Sequence, residues 1–167
     1  MQCGLSLGSN LGDRIKSLST ARDSIIALDD ISLVAQSRVY ETEPVDVTEP
    51  HRDKAFLNTV VVVETAQTPQ WLATAMRDIE DSMGRQRTTD KNTPRLIDID
   101  VLYVESRVIN TPALTVPHPR WHERRFVVQP LADVRPDLVL PGDPRSLSEI
   151  LLALPASPEV LLFADDW

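Results

Sequence analysis

Two aspartates one residue apart, Asp98 and Asp100, interrupt the apolar run PRLIDIDVLYV at residues 94–104. Side chains alternate along a strand, so this spacing predicts both carboxylates on one strand face, together with Leu96, Leu102 and Val104. Two carboxylates roughly 6–7 Å apart repel each other and resist leaving water, so something cationic belongs between them. Three arginines, Arg85, Arg87 and Arg95, precede the pair within GRQRTTDKNTPR. Carboxylates that hold Mg²⁺ against phosphate oxygens, beside guanidinium groups that neutralise phosphate charge, are the parts of metal-assisted phosphoryl transfer. An Asp-x-Asp strand by itself fits an exposed edge strand or a structural ion pair equally well. The adjacent arginines favour phosphate chemistry. No G-x-x-x-x-G-K-[ST] loop occurs, and GSNLGD at 8–13 reads as a tight strand-to-helix turn.

The charge balance narrows the ligand. The net charge of −8 argues against nucleic acid and against anionic membrane as partners. It is unevenly spread: residues 85–125 carry eight Lys/Arg and five Asp/Glu, so this segment is +3 and the remainder −11. A locally basic stretch in an acidic chain suggests a small anionic ligand, although solvated loop charges produce the same pattern. The longest apolar stretches, near 60–63, 101–104 and 150–154, are too short to cross a bilayer. MQCGLSLGSNLG lacks the basic start and apolar centre of a signal peptide, and Cys3 is the only cysteine. Both features lead to the expectation of a cytoplasmic protein with no intramolecular disulfide.

The elements that must position these residues follow from periodicity. QCGLSLGSN reads as a first strand, and Ile15, Leu18, Ala21, Ile25 and Leu28 recur at helical spacing behind Asp13. A second strand is expected at about 32–41 and a third in AFLNTVVVVET. Thr68 and Pro69 supply a cap and first-turn proline for a second helix, with Leu72, Met76, Ile79 and Met83 as its apolar stripe and Gly84 at its end. The aspartate strand closes a β-α-β-β-α-β order, the ferredoxin-like arrangement of an α+β fold. Beyond it come additional short C-terminal helices and strands, among them a turn at VPHPRWHERR, a helix near 124–132, and a helix opened by Ser146 with Glu149 as a capping box. The tail from 133 reads as packing, and 167 residues without repeats or linker suggest a single domain. The connections 42–54 and 85–95 are long for a compact domain, which marks them as functional or disordered.

Six ordered blocks then carry a resemblance: GSNLGD (8–13), YETEPV (40–45), FLNTVV (56–61), IEDSMGRQR (79–87), PRLIDIDVL (94–102) and VPHPRWHERRFVVQPL (116–131). Over essentially residues 1–151 the chain resembles the 6-hydroxymethyl-7,8-dihydropterin pyrophosphokinase family, and PRxxDxD is its most telling signature. The resemblance implies a ferredoxin-like fold and a step of folate biosynthesis, in which the pterin hydroxymethyl oxygen attacks the β-phosphorus of ATP to give AMP and the pterin diphosphate. It implies Asp98 and Asp100 as ligands of two Mg²⁺ ions, and Arg95 as a phosphate clamp at the reaction centre. Arg85 and Arg87 correspond to mobile-loop arginines that close over ATP, His118 and Arg124 to phosphate contacts, and Glu80 to an acid at the nucleotide pocket. For the pterin it implicates Thr42, Val45 and Asn58 through polar contacts, and Phe56 and Phe126 as stacking walls. The chain departs from the family pattern at Asp46, Asn92, Thr93 and Pro119, none of which belongs to the metal or phosphate set.

The expectation is thus an ATP- and Mg²⁺-dependent monomer acting on small molecules. The competing readings are another Mg²⁺-dependent nucleotidyl transferase and a non-catalytic ferredoxin-like binding module. An RNA-binding domain fits least, since the strands lack an exposed aromatic platform and the chain is acidic.

Overall fold

Strand β1 (Gln2–Ser9) is an interior strand of the sheet, and almost every one of its residues is buried, as a strand covered on both faces requires. A computed structural model describes residues 1–43, 55–85 and 94–167. After β1 come α1 (Arg14–Ile26), β2 (Ile31–Gln36), β3 (Val39–Thr42), β4 (Phe56–Thr65), α2 (Pro69–Ser82) and β5 (Asp98–Val104). A small hairpin, β6 (Ile109–Asn110) and β7 (Thr115–Val116), a 3₁₀ turn (Trp121–Glu123), α3 (Arg125–Val134), α4 (Leu147–Ala153) and β8 (Val160–Ala164) complete the chain. None of the described helices is long and apolar enough to cross a membrane.

The helices start where their caps dictate. Asp13 accepts the Lys16 N–H at 3.1 Å to open α1, and Thr68 accepts the Trp71 N–H at 3.2 Å with Pro69 in the first turn of α2. Gly84, at φ +89°, turns the chain out of α2. Ser146 and Glu149 form the expected capping box on α4.

The main sheet is antiparallel in the order β5-β1-β4-β3-β8, with β2 also paired to β4. Counting β2 and β3 together as one strand, this is the ferredoxin-like order, an α+β fold as the patterning predicts. Three local departures have physical causes. The second strand, expected over 32–41, breaks in two at Ser37. The Ser37 N–H still donates to the Val60 carbonyl at 2.9 Å, but the return bond from the Val60 N–H goes at 2.9 Å to the Ser37 hydroxyl, which also bonds Thr59 Oγ1 at 3.0 Å, so a side chain takes one place in the ladder. In β5 the register against β1 shifts between Gly4 and Leu5, which places Leu102 and Tyr103 on the same side and turns Val104 to the other. Of the three apolar residues expected beside the aspartates, only Leu102 stays on their face, since Leu96 precedes the strand and packs near Gly12 and Gly84. Finally, the tail that reads as packing adds β8 to the sheet edge beside β3.

Each face of the sheet carries its own core. Leu5, Leu7, Val61 and Val63 pack against Leu18, Ile25, Leu72 and Met76 of α1 and α2. Val60, Val62, Leu102 and Tyr103 meet Trp121, Val128, Leu131 and Leu147 on the opposite side. Val60 to Val63 are fully buried, so β4 is anchored from both sides and holds its neighbours rigidly.

Candidate active site

The register of the central strands sets out the site. Gly8 of β1 pairs with Asp98 of β5 on one side and Asn58 of β4 on the other, and Ser6 lies between Asp100 and Val60. Thr42 of β3 pairs with Phe56, and Tyr40 with Asn58. Directly paired residues project from the same face, so Asp98, Asp100, Gly8, Asn58, Thr42 and Phe56 share the face that α3 packs on. The expected two-carboxylate face is present.

Gly8 is the floor of this row. A side chain there would begin 3.3 Å from Asn58 Oδ1 and 3.9 Å from Phe56 Cδ1, so it would crowd the Asn58 amide, and glycine leaves the strand surface open at this point. Sequence reasoning took Gly8 as part of a turn; a glycine inside a strand pattern was the available signal.

Asp98 is the hub of the charge network. Its Oδ1 accepts from Arg85 Nη1 at 2.6 Å and its Oδ2 from Arg95 Nη1 at 2.9 Å. Arg85 also pairs with Glu80, whose Oε1 accepts the Ile99 N–H of β5 at 2.7 Å. Glu80 is buried, and desolvation pushes its carboxyl up to about 7 despite the Ile99 and Arg85 donors. It meets Asp98 both directly, side chain to side chain, and through Arg85, from a buried position behind the strand. Asn10 sets the Arg95 backbone: its Oδ1 accepts the Arg95 N–H at 2.8 Å, and its own N–H donates to the Arg95 carbonyl at 3.2 Å. The GSN segment is therefore a clasp on the arginine, a role its local sequence does not disclose.

Asp100 differs from Asp98. Half-buried, it receives no hydrogen bond from the described residues, and its carboxyl is pushed up to about 6, first by burial and then by the Asp98 charge, against the pull of Arg124, Arg85 and Arg95. A desolvated carboxylate with no side-chain donor among the described residues, sharing a strand face with a second carboxylate, is an oxygen-donor set that suits a hard divalent cation.

The His118 turn comes up beside this face. The His118 N–H donates to the Leu102 carbonyl at 2.8 Å, and its Nδ1 accepts the Arg120 N–H at 3.2 Å, so the ring proton sits on Nε2. Burial, then Arg124 and Arg120, lower its pKa and keep the imidazole neutral. Arg124 stands 5.7 Å from the centroid of Phe126, which is half-buried in the first turn of α3. On the far side of Gly8, Asn58 donates from Nδ2 to Thr42 Oγ1 at 2.8 Å, both residues being buried. That bond turns the Asn58 carbonyl oxygen toward Gly8. Thr42, Phe56, Asn58, Glu80, Arg85, Arg95, Asp98, Asp100, His118, Arg124 and Phe126 are thus all placed on or around β1, β4 and β5. Val45 and Arg87 lie outside the described residues.

The family model described as 7,8-dihydro-6-hydroxymethylpterin-pyrophosphokinase (HPPK) matches residues 4–136. A 2-amino-4-hydroxy-6-hydroxymethyldihydropteridine pyrophosphokinase of Methylorubrum extorquens is 40% identical over 139 residues, 83% of this chain and 85% of the relative. The Pseudomonas aeruginosa protein of the same name is 37% identical over 151 residues, covering 90% of each. The folic acid synthesis protein fol1 of Schizosaccharomyces pombe is 39% identical over 91% of this chain, which spans only 20% of that longer protein. Among solved structures, Plasmodium falciparum HPPK-DHPS with pteroate superposes over 91% of this chain and 42% of its own, with a TM-score of 0.70 at 16% identity, a likeness of fold.

Proposed function

The chain belongs to the 7,8-dihydro-6-hydroxymethylpterin-pyrophosphokinase family, and from that membership we propose that it transfers the diphosphoryl group of ATP to 6-hydroxymethyl-7,8-dihydropterin in folate biosynthesis. The hydroxymethyl oxygen bonds to the β-phosphorus and loses its proton, the bond from that phosphorus to the α,β-bridging oxygen breaks, and AMP leaves. The observation that carries this reading is one row of side chains: two carboxylates flanked by Arg85 and Arg95, separated by a bare glycine from Asn58, Thr42 and Phe56. Phosphate chemistry and a flat ring fit on opposite sides of Gly8.

Asp98 and Asp100 fit Mg²⁺, and we assign two ions to them. Asp98 and Asp100 would hold the metal, which when bound would supply positive charge against the ATP phosphates. The chain's own residues do the rest. Arg95, held by Asn10 at the start of β5, aims a planar donor at the phosphates, and Arg85 and Arg87 add positive charge from the adjoining segment. His118 supplies a neutral Nε2–H donor and Arg124 a cation to phosphate oxygens, while Glu80 holds Arg85 at the nucleotide side. Asn58, Thr42 and Val45 offer polar contacts to the pterin edge, and Phe56 and Phe126 its stacking walls. Residues 1–167 act in this proposal as one domain and as a cytoplasmic monomer whose partners are ATP and the pterin.

Incubation with ATP, Mg²⁺ and the hydroxymethyl dihydropterin yields AMP on this reading. ADP as the product points to an ordinary kinase and overturns it, and Mg²⁺-independent ATP binding without turnover points to a non-catalytic module. A second outcome concerns the pterin side. Phe126→Ala weakens pterin binding by about tenfold, a typical stacking contribution, while ATP–Mg²⁺ affinity stays within about twofold, since stacking acts on the ring. Calorimetry in which both affinities fall together would make Phe126 a core residue.

A further inference from the structure

Arg14 is the first residue of α1, where a cation opposes the helix dipole, so helix stability does not account for it. Its guanidinium instead reaches across to two strands. It ion-pairs with Glu41 of β3 at 2.7 Å and donates to the main-chain carbonyl of Ala55, just ahead of β4, at 2.8 Å. It also lies 5.7 Å from the ring centroid of Phe163 on β8. Glu41 adjoins Thr42, and Ala55 adjoins Phe56, the last register pair of the β3–β4 ladder. The end of a ladder is where strands separate most easily, and here one side chain ties both strands at that end.

We propose that Arg14 is a positioning residue for the pterin, fixing the separation of Thr42 and Phe56 by clamping Glu41 and the Ala55 carbonyl. The inference rests on the pterin assignment made above and extends it to a group outside the six blocks' expected site residues. The ion pair is partly exposed, with side chains 26% and 35% accessible, so its contribution to global stability is small. What it supplies is geometry. Both contacts leave from one guanidinium nitrogen, Nη1, which joins the carboxylate to the carbonyl while the planar group lies near the Phe163 ring; lysine's ammonium has the donors but lacks that planar group.

The test uses the full chain and measures three quantities for wild type, Arg14→Ala, Arg14→Lys and Glu41→Gln. These are the dissociation constant of 6-hydroxymethylpterin in the presence of a non-hydrolysable ATP analogue, that of the analogue with Mg²⁺ alone, and the melting temperature. Arg14→Ala weakens the pterin by about tenfold or more, leaves the analogue within about twofold, and barely moves the melting temperature. Arg14→Lys recovers only part of the loss, and Glu41→Gln, which removes the carboxylate charge from the same clamp, weakens the pterin in the same direction as Arg14→Ala. Pterin affinity unchanged in Arg14→Ala overturns the inference, as does loss of both ligands in step with a falling melting temperature. Wild-type chain that binds no pterin overturns the functional reading and this inference with it; wild-type binding with unaltered variants overturns the inference alone.

Discussion

Asp100→Ala is expected to abolish turnover without weakening the fold, whereas Asp98→Ala abolishes turnover and destabilises the protein. The shared loss follows from the shared strand face: each carboxylate is half of the donor set assigned to Mg²⁺, and losing such a ligand removes about 4 kcal/mol of transition-state stabilisation, roughly a thousandfold in rate. The divergence in stability follows from their partners. Asp98 accepts from both Arg85 and Arg95, so its removal leaves two guanidinium groups without their shared carboxylate. Asp100 receives no hydrogen bond from the described residues, and its desolvated charge faces that of Asp98. Removing it in metal-free buffer relieves repulsion, so the melting temperature of Asp100→Ala stays level or rises. Adding Mg²⁺ with an ATP analogue then stabilises wild type and neither variant. Turnover within a few-fold of wild type in either variant, or equal destabilisation of both, contradicts this assignment.

What the sequence disclosed, and what it hid, divides along the range of the interactions. Asp13, Thr68, Pro69, Gly84 and the Ser146–Glu149 box act within a few residues, so α1, α2 and α4 were legible from their caps and stripes. The common face of Asp98 and Asp100 was legible for the same reason, since alternation is local. The alternation fails four residues later because the bulge opposite Gly4 and Leu5 belongs to the pairing with β1, which no local pattern encodes. Ser37 breaks the second strand through Thr59 and Val60, more than twenty residues away, and Asn10 reaches Arg95 across 85 positions. Gly8 gains its meaning only when β4 brings Asn58 and Phe56 beside it. The blocks identified the residue set; the register explains why that set is one site.

The two arginines on Asp98 are expected to fail differently when replaced. Arg95 is fixed from behind, its backbone N–H and carbonyl both bonded to Asn10 three residues ahead of β5, so although its guanidinium also holds Asp98 Oδ2 at 2.9 Å, it turns toward charge developing on the transferred phosphoryl group from an anchored backbone. Loss of one such pre-aimed donor costs roughly 100- to 1000-fold, and Arg95→Ala should show it in the chemical step itself. Arg85 is held by Glu80 and by Asp98 Oδ1, an oxygen that the Mg²⁺ assignment also needs. Both arginines give up a bond to Asp98 as the nucleotide site loads, but Arg85 leaves Glu80 as well, so more of its interaction with phosphate is offset by the contacts it leaves. Arg85→Ala should act on nucleotide affinity or product release, with a smaller loss in the chemical step; Arg87→Ala, from the same segment, should follow Arg85. Rapid-quench single turnovers at saturating ATP and Mg²⁺ separate the two behaviours. Equal losses of the chemical step in Arg85→Ala and Arg95→Ala would refute the division, because a donor that must leave both Glu80 and Asp98 would then be worth as much as one carried on an anchored backbone.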